Sequence, residues 1–199
     1  MTTPSKQKLT RERLYSLEHY AQMRNDFRAR VMAHKKNRQV EIGPHATLYF
    51  EDVLTMHYQV QEMLRAERIF EAQGIDEELA TYNPLIPDGT NWKATFMIEY
   101  GDENERRIAL AKMIGIEAKV WAQVQGYDKV RPVADEDLER SNDDKTSAVH
   151  FLRFELSPAM IAALKSGAAV GMGIDHPAYT YSIHPLPAAV RAALVADLE

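Results

Sequence analysis

The sequence predicts a single α+β domain, built on a mainly antiparallel mixed sheet with packed helices. Its 199 residues fit one domain, and no linker, repeat or change of composition divides them. Strand-like segments alternate irregularly with helical ones. The steady βαβ rhythm and the glycine fingerprint of a Rossmann fold are absent from the sequence. We expect a disordered leader at residues 1–9 and one folded domain at residues 10–199.

The period of the apolar residues, together with capping and turn residues, places the elements along this domain. Helices are predicted at about 11–20, 25–37, 53–70, 76–82, 103–114, 157–165 and 188–198. Strands are predicted at about 39–42, 46–51, 93–100, 119–124, 129–133, 147–155, 168–174 and 179–183. The strands at 119–124 and 129–133 are expected to form a hairpin. The acidic stretch 134–145 is expected to be an exposed helix and loop.

Composition limits the function classes. The net charge of −5 disfavours a dedicated nucleic-acid binder, because phosphate neutralisation needs a basic surface. The chain has no cysteine, which excludes disulfides, thiolate nucleophiles and iron–sulfur ligands within it. The polar N-terminus has no secretory signal, and no apolar run approaches the roughly 20 residues of a membrane helix. We therefore expect a cytoplasmic protein that binds neither nucleic acid nor membrane.

The densest polar and aromatic patterning lies between residues 44 and 99. In the strand at 46–51, alternation places His45, Thr47, Tyr49 and Glu51 on one face. A histidine and a glutamate on one face suit metal binding or acid–base chemistry. A solvated strand face gives the same alternation, so both interpretations stay open.

A second polar group lies on the following helix, for which Asp52 is the predicted N-cap. Tyr58, Glu62 and Arg65 share one face of this helix, and Arg68 is close by. These residues form either a buried functional network or ordinary surface pairs.

A third group follows the loop at residues 83–89, which contains two prolines. Asn91 and Lys93 flank Trp92 and are candidates for holding an anionic or aromatic ligand. Alternatively, Trp92 anchors the loop to the core. Two further features have mainly structural interpretations: His150 as a core histidine, and the basic run 34–38 as a solvated helix end.

Motifs that would specify a reaction are absent from the sequence. It contains no His-Glu-x-x-His, no P-loop and no Gly-x-Ser-x-Gly. No complete catalytic set can therefore be named.

Several stretches together resemble a known bacterial family, domain of unknown function 3501, from about residue 11 to residue 176. They are residues 43–52, 58–65, 83–89, 91–95 and 150–154. The resemblance implies no established activity or catalytic residue. Members of this family are often encoded beside a rubrerythrin-like protein and an iron–sulfur oxidoreductase. The resemblance thus implies, by association, a role near iron or peroxide redox chemistry.

Two functions follow as expectations. The first is an auxiliary cytoplasmic protein that docks on a redox protein partner. The second is a metal- or small-ligand-binding protein, with or without enzyme activity, whose pocket lies between sheet and helix. Its metal would be a divalent ion or iron, held by His45, Glu51 and Glu62. The methionine-rich helix faces leave a homo-oligomer open.

Overall fold

A computed structural model describes residues 8–142 and 144–199. Six α-helices and eight strands lie within these residues. The helices are α1 (Leu17–Lys35), α2 (Val53–Glu67), α3 (Ala72–Tyr82), α4 (Glu103–Lys112), α5 (Pro158–Lys165) and α6 (Ala188–Val195). The strands are β1 (Gln39–Glu41), β2 (Ala46–Phe50), β3 (Asn91–Ile98), β4 (Val120–Val124), β5 (Val133–Ala134), β6 (Val149–Glu155), β7 (Val170–His176) and β8 (Tyr179–Ile183). The predicted α+β class is confirmed.

The strands form two antiparallel sheets. The larger has the order β1-β2-β3-β6-β5, and the smaller has the order β4-β7-β8. Strand β7 is buried along almost its whole length, and at Gly173 a Cβ atom would collide with the ring of Trp121. The glycine spacing of this strand therefore lets the small sheet pack closely.

The main core fills the space between the two sheets. Ala46, Leu48 and Phe50 point into it from β2, and alternate residues of β3 and β6 do the same. Residues of β4, β7, α5 and α6 complete this cluster. Because strand residues alternate between faces, the other face of the large sheet is left to meet different elements.

Helices α1, α2 and α3 cover that other face. They have apolar clusters of their own, centred on Val60 and Leu64 and on Phe27 and Val31. The helices rest on the sheet only in part, which leaves cavities between the two layers. None of the helices in the described part of the chain is long and apolar enough to cross a bilayer.

The N-terminal region differs from the prediction of two helices. One continuous helix, α1, begins after Ser16, whose hydroxyl accepts a hydrogen bond from the His19 N–H. No glycine or proline interrupts residues 17–35, so the helix continues. Of the expected leader, residues 1–7 lie outside the described residues. Leu9 is 3% exposed and paired with Asn83, so the folded part begins before residue 10.

The region after β4 also differs. A single β-bridge joins Ala122 and Val130, and Val133–Ala134 instead pairs with β6 at the edge of the large sheet. The predicted hairpin is therefore reduced to one antiparallel bridge, and the strand at 129–133 does not form as predicted. In the acidic stretch, the residues that the structure describes contain no helix. There the chain turns at Asp135, which has a positive φ of 51°.

The interpretation of residues 34–38 as a solvated helix end is wrong for Arg38, which is 3% exposed. Its guanidinium donates to the backbone oxygens of Phe50 (3.0 Å) and Glu51 (3.1 Å). It also pairs with Asp197 at 2.5 Å and lies 3.5 Å from Asp52. One buried cation thus joins the end of β2, the start of α2 and the C-terminal segment.

Asp52 caps α2 as predicted. Its carboxylate accepts from the Thr55 N–H, and the Thr55 hydroxyl accepts in turn from the Asp52 N–H, which completes a capping box. Burial alone would raise the pKa of Asp52. The charge of Arg38, the Thr55 N–H and the bond to His34 outweigh burial and lower that pKa. The carboxylate therefore stays ionised beside the guanidinium.

We predict that Arg38→Met lowers the free energy of unfolding by about 3 kcal/mol or more, because two buried backbone oxygens lose their donor and two carboxylates lose a charged partner. Urea unfolding followed by circular dichroism measures this. Arg28→Met, at an exposed position of α1, is the matched control and should change stability by less than about 0.5 kcal/mol. A loss below about 1 kcal/mol for Arg38→Met would contradict the role given to Arg38.

Candidate functional site

The polar face of β2 is directed towards the helices, as its alternation predicts. Thr47 and Glu51 are both 6% exposed, and Tyr49 is half-buried between them. The solvated-face interpretation is therefore wrong for these three residues. On the neighbouring strands, Thr95 and Phe151 are directly paired in register and belong to the same face.

Two cavities lie between this face and the helices. The Lys35 chamber has a volume of about 500 Å³ and is lined from α1 by Met32, Lys35 and Lys36. The Lys93 chamber has a volume of about 630 Å³ and is lined from β3 by Lys93. The chambers share four lining residues: Glu51, Tyr82, Leu85 and Phe151. We call the two chambers together the groove.

Glu51 lies where the two chambers meet. Its backbone N–H donates to the Lys93 oxygen at 2.8 Å, and its backbone oxygen accepts from Arg38. The side chain accepts one hydrogen bond, from the Thr95 hydroxyl to Oε1 at 2.8 Å. Among the described residues, Thr95 is the only side chain that donates to this carboxylate. Since a carboxylate accepts several hydrogen bonds, Glu51 has acceptor capacity left on the groove side.

The Lys93 chamber contains charges that are mostly compensated. Arg153 pairs with Glu136 at 2.8 Å, and Arg140 pairs with Asp137 at 2.6 Å while lying over the ring of Phe151. Lys93 donates to the backbone oxygen of Pro84 at 2.5 Å. Burial lowers the pKa of Lys93, and the carboxylate of Asp88 partly opposes this effect.

The Lys35 chamber is different, because its cations are not paired. Lys35 is half-buried and Lys36 is exposed. Among residues 8–142 and 144–199, no carboxylate forms an ion pair with either ammonium group. The chamber is also lined by three methionines, namely Met32, Met56 and Met97.

His45 lies away from the groove. Its ring stacks on Tyr100 with 3.9 Å between the ring centroids, and its Nδ1 is 3.0 Å from the Glu99 oxygen. His45 and Glu51 flank the two ends of β2, which places them roughly 20 Å apart.

Glu62 is also outside the groove, between α2 and α1. Its carboxylate binds Arg24 at 2.7 and 2.8 Å and the Tyr20 hydroxyl at 2.8 Å, with Arg65 more distant at 3.4 Å. The hydrogen bond from Arg24 outweighs partial burial and lowers the pKa of Glu62 to about 2. The main partners of Glu62 therefore come from α1 and not from Tyr58 or Arg65 on its own helix, which helix periodicity alone could not show.

The other two residues of the predicted helix group have separate places. Tyr58 packs against Phe27, with 6.1 Å between the ring centroids. Arg68 ends α2 in a left-handed conformation and is exposed. Neither residue lines the groove.

The third predicted group is Asn91, Trp92 and Lys93. Because side chains alternate along β3, Trp92 points to the opposite face from the other two residues. Trp92 is completely buried, and its indole N–H donates to the Leu194 oxygen at 2.9 Å, which fits the structural interpretation. Asn91 is 1% exposed and donates to Glu155 at 3.3 Å. Only Lys93 lines a cavity.

The metal set proposed from sequence is not brought together. His45 and Glu51 are separated by the length of β2, and the carboxylate of Glu62 is held by Arg24 on another face. In the described part of the chain, no three or more histidine, aspartate or glutamate residues are arranged to hold a metal ion.

His150 is a fully buried residue, but with a larger polar network than the sequence indicates. Its Nδ1 is 2.6 Å from Asp135 Oδ2, and its Nε2 is 2.9 Å from the Thr146 hydroxyl. Thr146 contacts the Ser141 hydroxyl at 2.9 Å. An Asp–His–hydroxyl chain resembles the arrangement that activates a nucleophile, but Thr146 is only 1% exposed. The network fastens the chain that borders the Lys93 chamber.

Sequence reasoning missed the residues that line the groove from neighbouring elements: Met32, Lys35, Lys36, Met56, Met97 and Phe151. The sequence does contain an indication of two of them. Alternation along the strands predicts that Met97 and Phe151 point away from the apolar core, to the same face as Tyr49. Register across strands was needed to place them beside Tyr49.

Together, the fold and the groove define an α+β protein with a ligand-sized cavity between a sheet and a helical layer. A family model described as Protein of unknown function (DUF3501) matches residues 8–198, so the chain belongs to that family. The resemblance found in the sequence is thereby confirmed.

A crystal structure of a novel protein of unknown function from Burkholderia pseudomallei K96243 has a similar fold. The two sequences are 52% identical. The match covers 97% of this chain and 100% of the Burkholderia chain, and the two structures superpose with a TM-score of 0.90. The comparison with curated proteins gives no match.

We predict that the Glu62 cluster stabilises the fold only above acidic pH. The folded pKa of about 2 is below the ordinary value of 4.5. The contribution is therefore complete above pH 4.5 and is lost as the pH falls towards 2. At neutral pH, Glu62→Gln should cost about 1–2 kcal/mol, allowing for solvent screening of a partly exposed pair.

Urea unfolding of both proteins between pH 7 and pH 2.5 measures this difference. Glu67→Gln, an exposed position on the same helix, controls for the loss of one carboxylate. A stability difference between wild type and Glu62→Gln that stays constant over this range would contradict the assigned pKa.

Proposed function

We propose that this protein binds a small, mainly apolar organic molecule in the groove between the large sheet and helices α1–α3. The observation that carries the proposal is the position of Glu51, a buried carboxylate with one side-chain donor, at the junction of two cavities. Burying a charge is costly unless it is partnered. Arg38 interacts with the charge of this carboxylate and Thr95 donates to it, and a ligand with a hydrogen-bond donor would add a further partner on the groove side.

The size and lining of the groove support ligand binding. Both chambers fall within the range of about 300–1,000 Å³ that small-molecule sites occupy. Aromatic and aliphatic side chains, including Tyr82, Leu85 and Phe151, form the shared walls. A few polar groups converge among them, as is typical of binding sites for organic molecules.

The groove favours binding over a metal-centred function, because Glu51 is the only residue of the proposed metal set that reaches it. The auxiliary role beside a redox system, its redox partner and its cytoplasmic setting rest on the family resemblance and the composition. These expectations, and that of a homo-oligomer, stay predictions.

We expect the neutral fluorophore N-phenyl-1-naphthylamine to bind with saturable, one-to-one stoichiometry, because its fluorescence rises in apolar surroundings. Leu85→Trp, at a wall shared by both chambers, should weaken this binding by about tenfold or more by filling the space. Thr81→Trp, at an exposed position on the rim of the Lys93 chamber, gives a second obstruction with less risk to the fold.

Ile108→Trp is the matched control, since Ile108 is 48% exposed on α4 and does not line the groove. It should leave the affinity unchanged. The proposal fails if the fluorophore does not saturate. It also fails if the affinity is the same for both groove variants, once urea unfolding has confirmed that they are folded.

A further inference from the structure

Exposed Lys36 and half-buried Lys35 mark the mouth of the Lys35 chamber, and apolar side chains form much of its remaining wall. We propose that it takes an organic molecule with one anionic group and an apolar body, the anionic group lying between Lys35 and Lys36. This inference rests on the proposed function and specifies the class of ligand.

The ammonium groups of Lys35 and Lys36 form no ion pair within the described residues. Glu41 and Glu99 act on Tyr49, another lining residue, but pair with neither lysine. Two carboxylates close to the end of α1 are engaged elsewhere. Asp52 is held by His34 at 2.5 Å, by Arg38 and by the N-terminus of α2. Asp197 is held by Arg38. Within the described residues, no carboxylate pairs with Lys35 or Lys36, whereas Arg140 and Arg153 at the other chamber are paired.

The interior of the Lys35 chamber suits an apolar body of variable shape. Met32, Met56 and Met97 contribute flexible, polarisable side chains from α1, α2 and β3. The rings of Tyr49 and Phe151 add flat apolar surface from the sheet. Such walls adapt to an aliphatic chain or a ring without specific polar contacts.

Glu51 fixes the orientation of the ligand. Its carboxylate is buried where the Lys35 chamber meets the Lys93 chamber, whereas Lys36 is exposed. There it repels an anion and accepts from a donor. A molecule with one anionic group therefore enters with that group outward. A molecule with anionic groups at both ends is disfavoured, because its second group meets Glu51.

Four compounds with the same eight-carbon body separate charge from apolar burial: octanoate, octyl phosphate, octan-1-ol and octylammonium. Isothermal titration calorimetry on the full chain should show that octanoate and octyl phosphate bind about tenfold tighter than octan-1-ol. Octylammonium should lack the advantage of the anions, because the two lysines repel its head and only Glu51 attracts it. The ratio between octyl phosphate and octanoate distinguishes a phosphate head from a carboxylate head.

The double variant Lys35→Gln/Lys36→Gln should remove the advantage of the anions and leave octan-1-ol unchanged. Lys112→Gln/Lys165→Gln is the matched control, because both lysines are exposed in the last turns of other helices and lie outside the groove. It removes the same net charge and should leave all affinities unchanged. Octanedioate should bind at least about tenfold more weakly than octanoate, and Glu51→Gln should reduce that difference.

The outcomes separate the two proposals. If the naphthylamine binds in the groove but octanoate binds no tighter than octan-1-ol, the inference about the anion is overturned and the groove stands. If the control double variant weakens octanoate as much as the Lys35/Lys36 variant, the inference also fails. If the naphthylamine does not saturate, the proposed function fails, and the inference that rests on it fails with it.

Discussion

The buried guanidinium of Arg38 connects three parts of the chain that sequence separation keeps far apart. It holds the backbone oxygens of Phe50 and Glu51, the carboxylate that caps α2, and Asp197 near the C-terminus. A cation removed from water is stabilised only when all its donors are satisfied. The end of β2 and the start of α2 are therefore held in a fixed relative position, because the Arg38 guanidinium interacts with both.

This constraint explains why the groove has its shape. Because α2 begins directly after the fixed junction, the helix leaves the sheet at a defined point and covers only part of the polar face. Glu51 is held through both its backbone N–H and its backbone oxygen, so its side chain is presented where the two cavities meet. The same junction engages Asp52 with His34 and Arg38, and within the described residues neither Lys35 nor Lys36 forms an ion pair.

Local patterns predicted the fold class, the faces of β2 and the cap at Asp52, because each depends on residues close in sequence. They did not predict Arg38, whose partner Asp197 is 159 positions away. The same limit applies to Glu62, since periodicity showed its helix face but not Arg24 on the opposite helix. The sheet wall of the groove depends on how β2, β3 and β6 pair in register. That pairing joins segments distant in sequence, so no local pattern predicts it.

We infer that the anionic group of the ligand lies at the mouth of the Lys35 chamber and that its apolar body points away from the lysines towards Glu51. A crystal structure of the protein grown with octanoate tests this most directly. The account predicts electron density for the carboxylate beside Lys35 and Lys36, with the chain between Met56 and Met97. Density with the carboxylate at Glu51, or octanoate bound only outside the groove while the chamber holds ordered water, would contradict the claim.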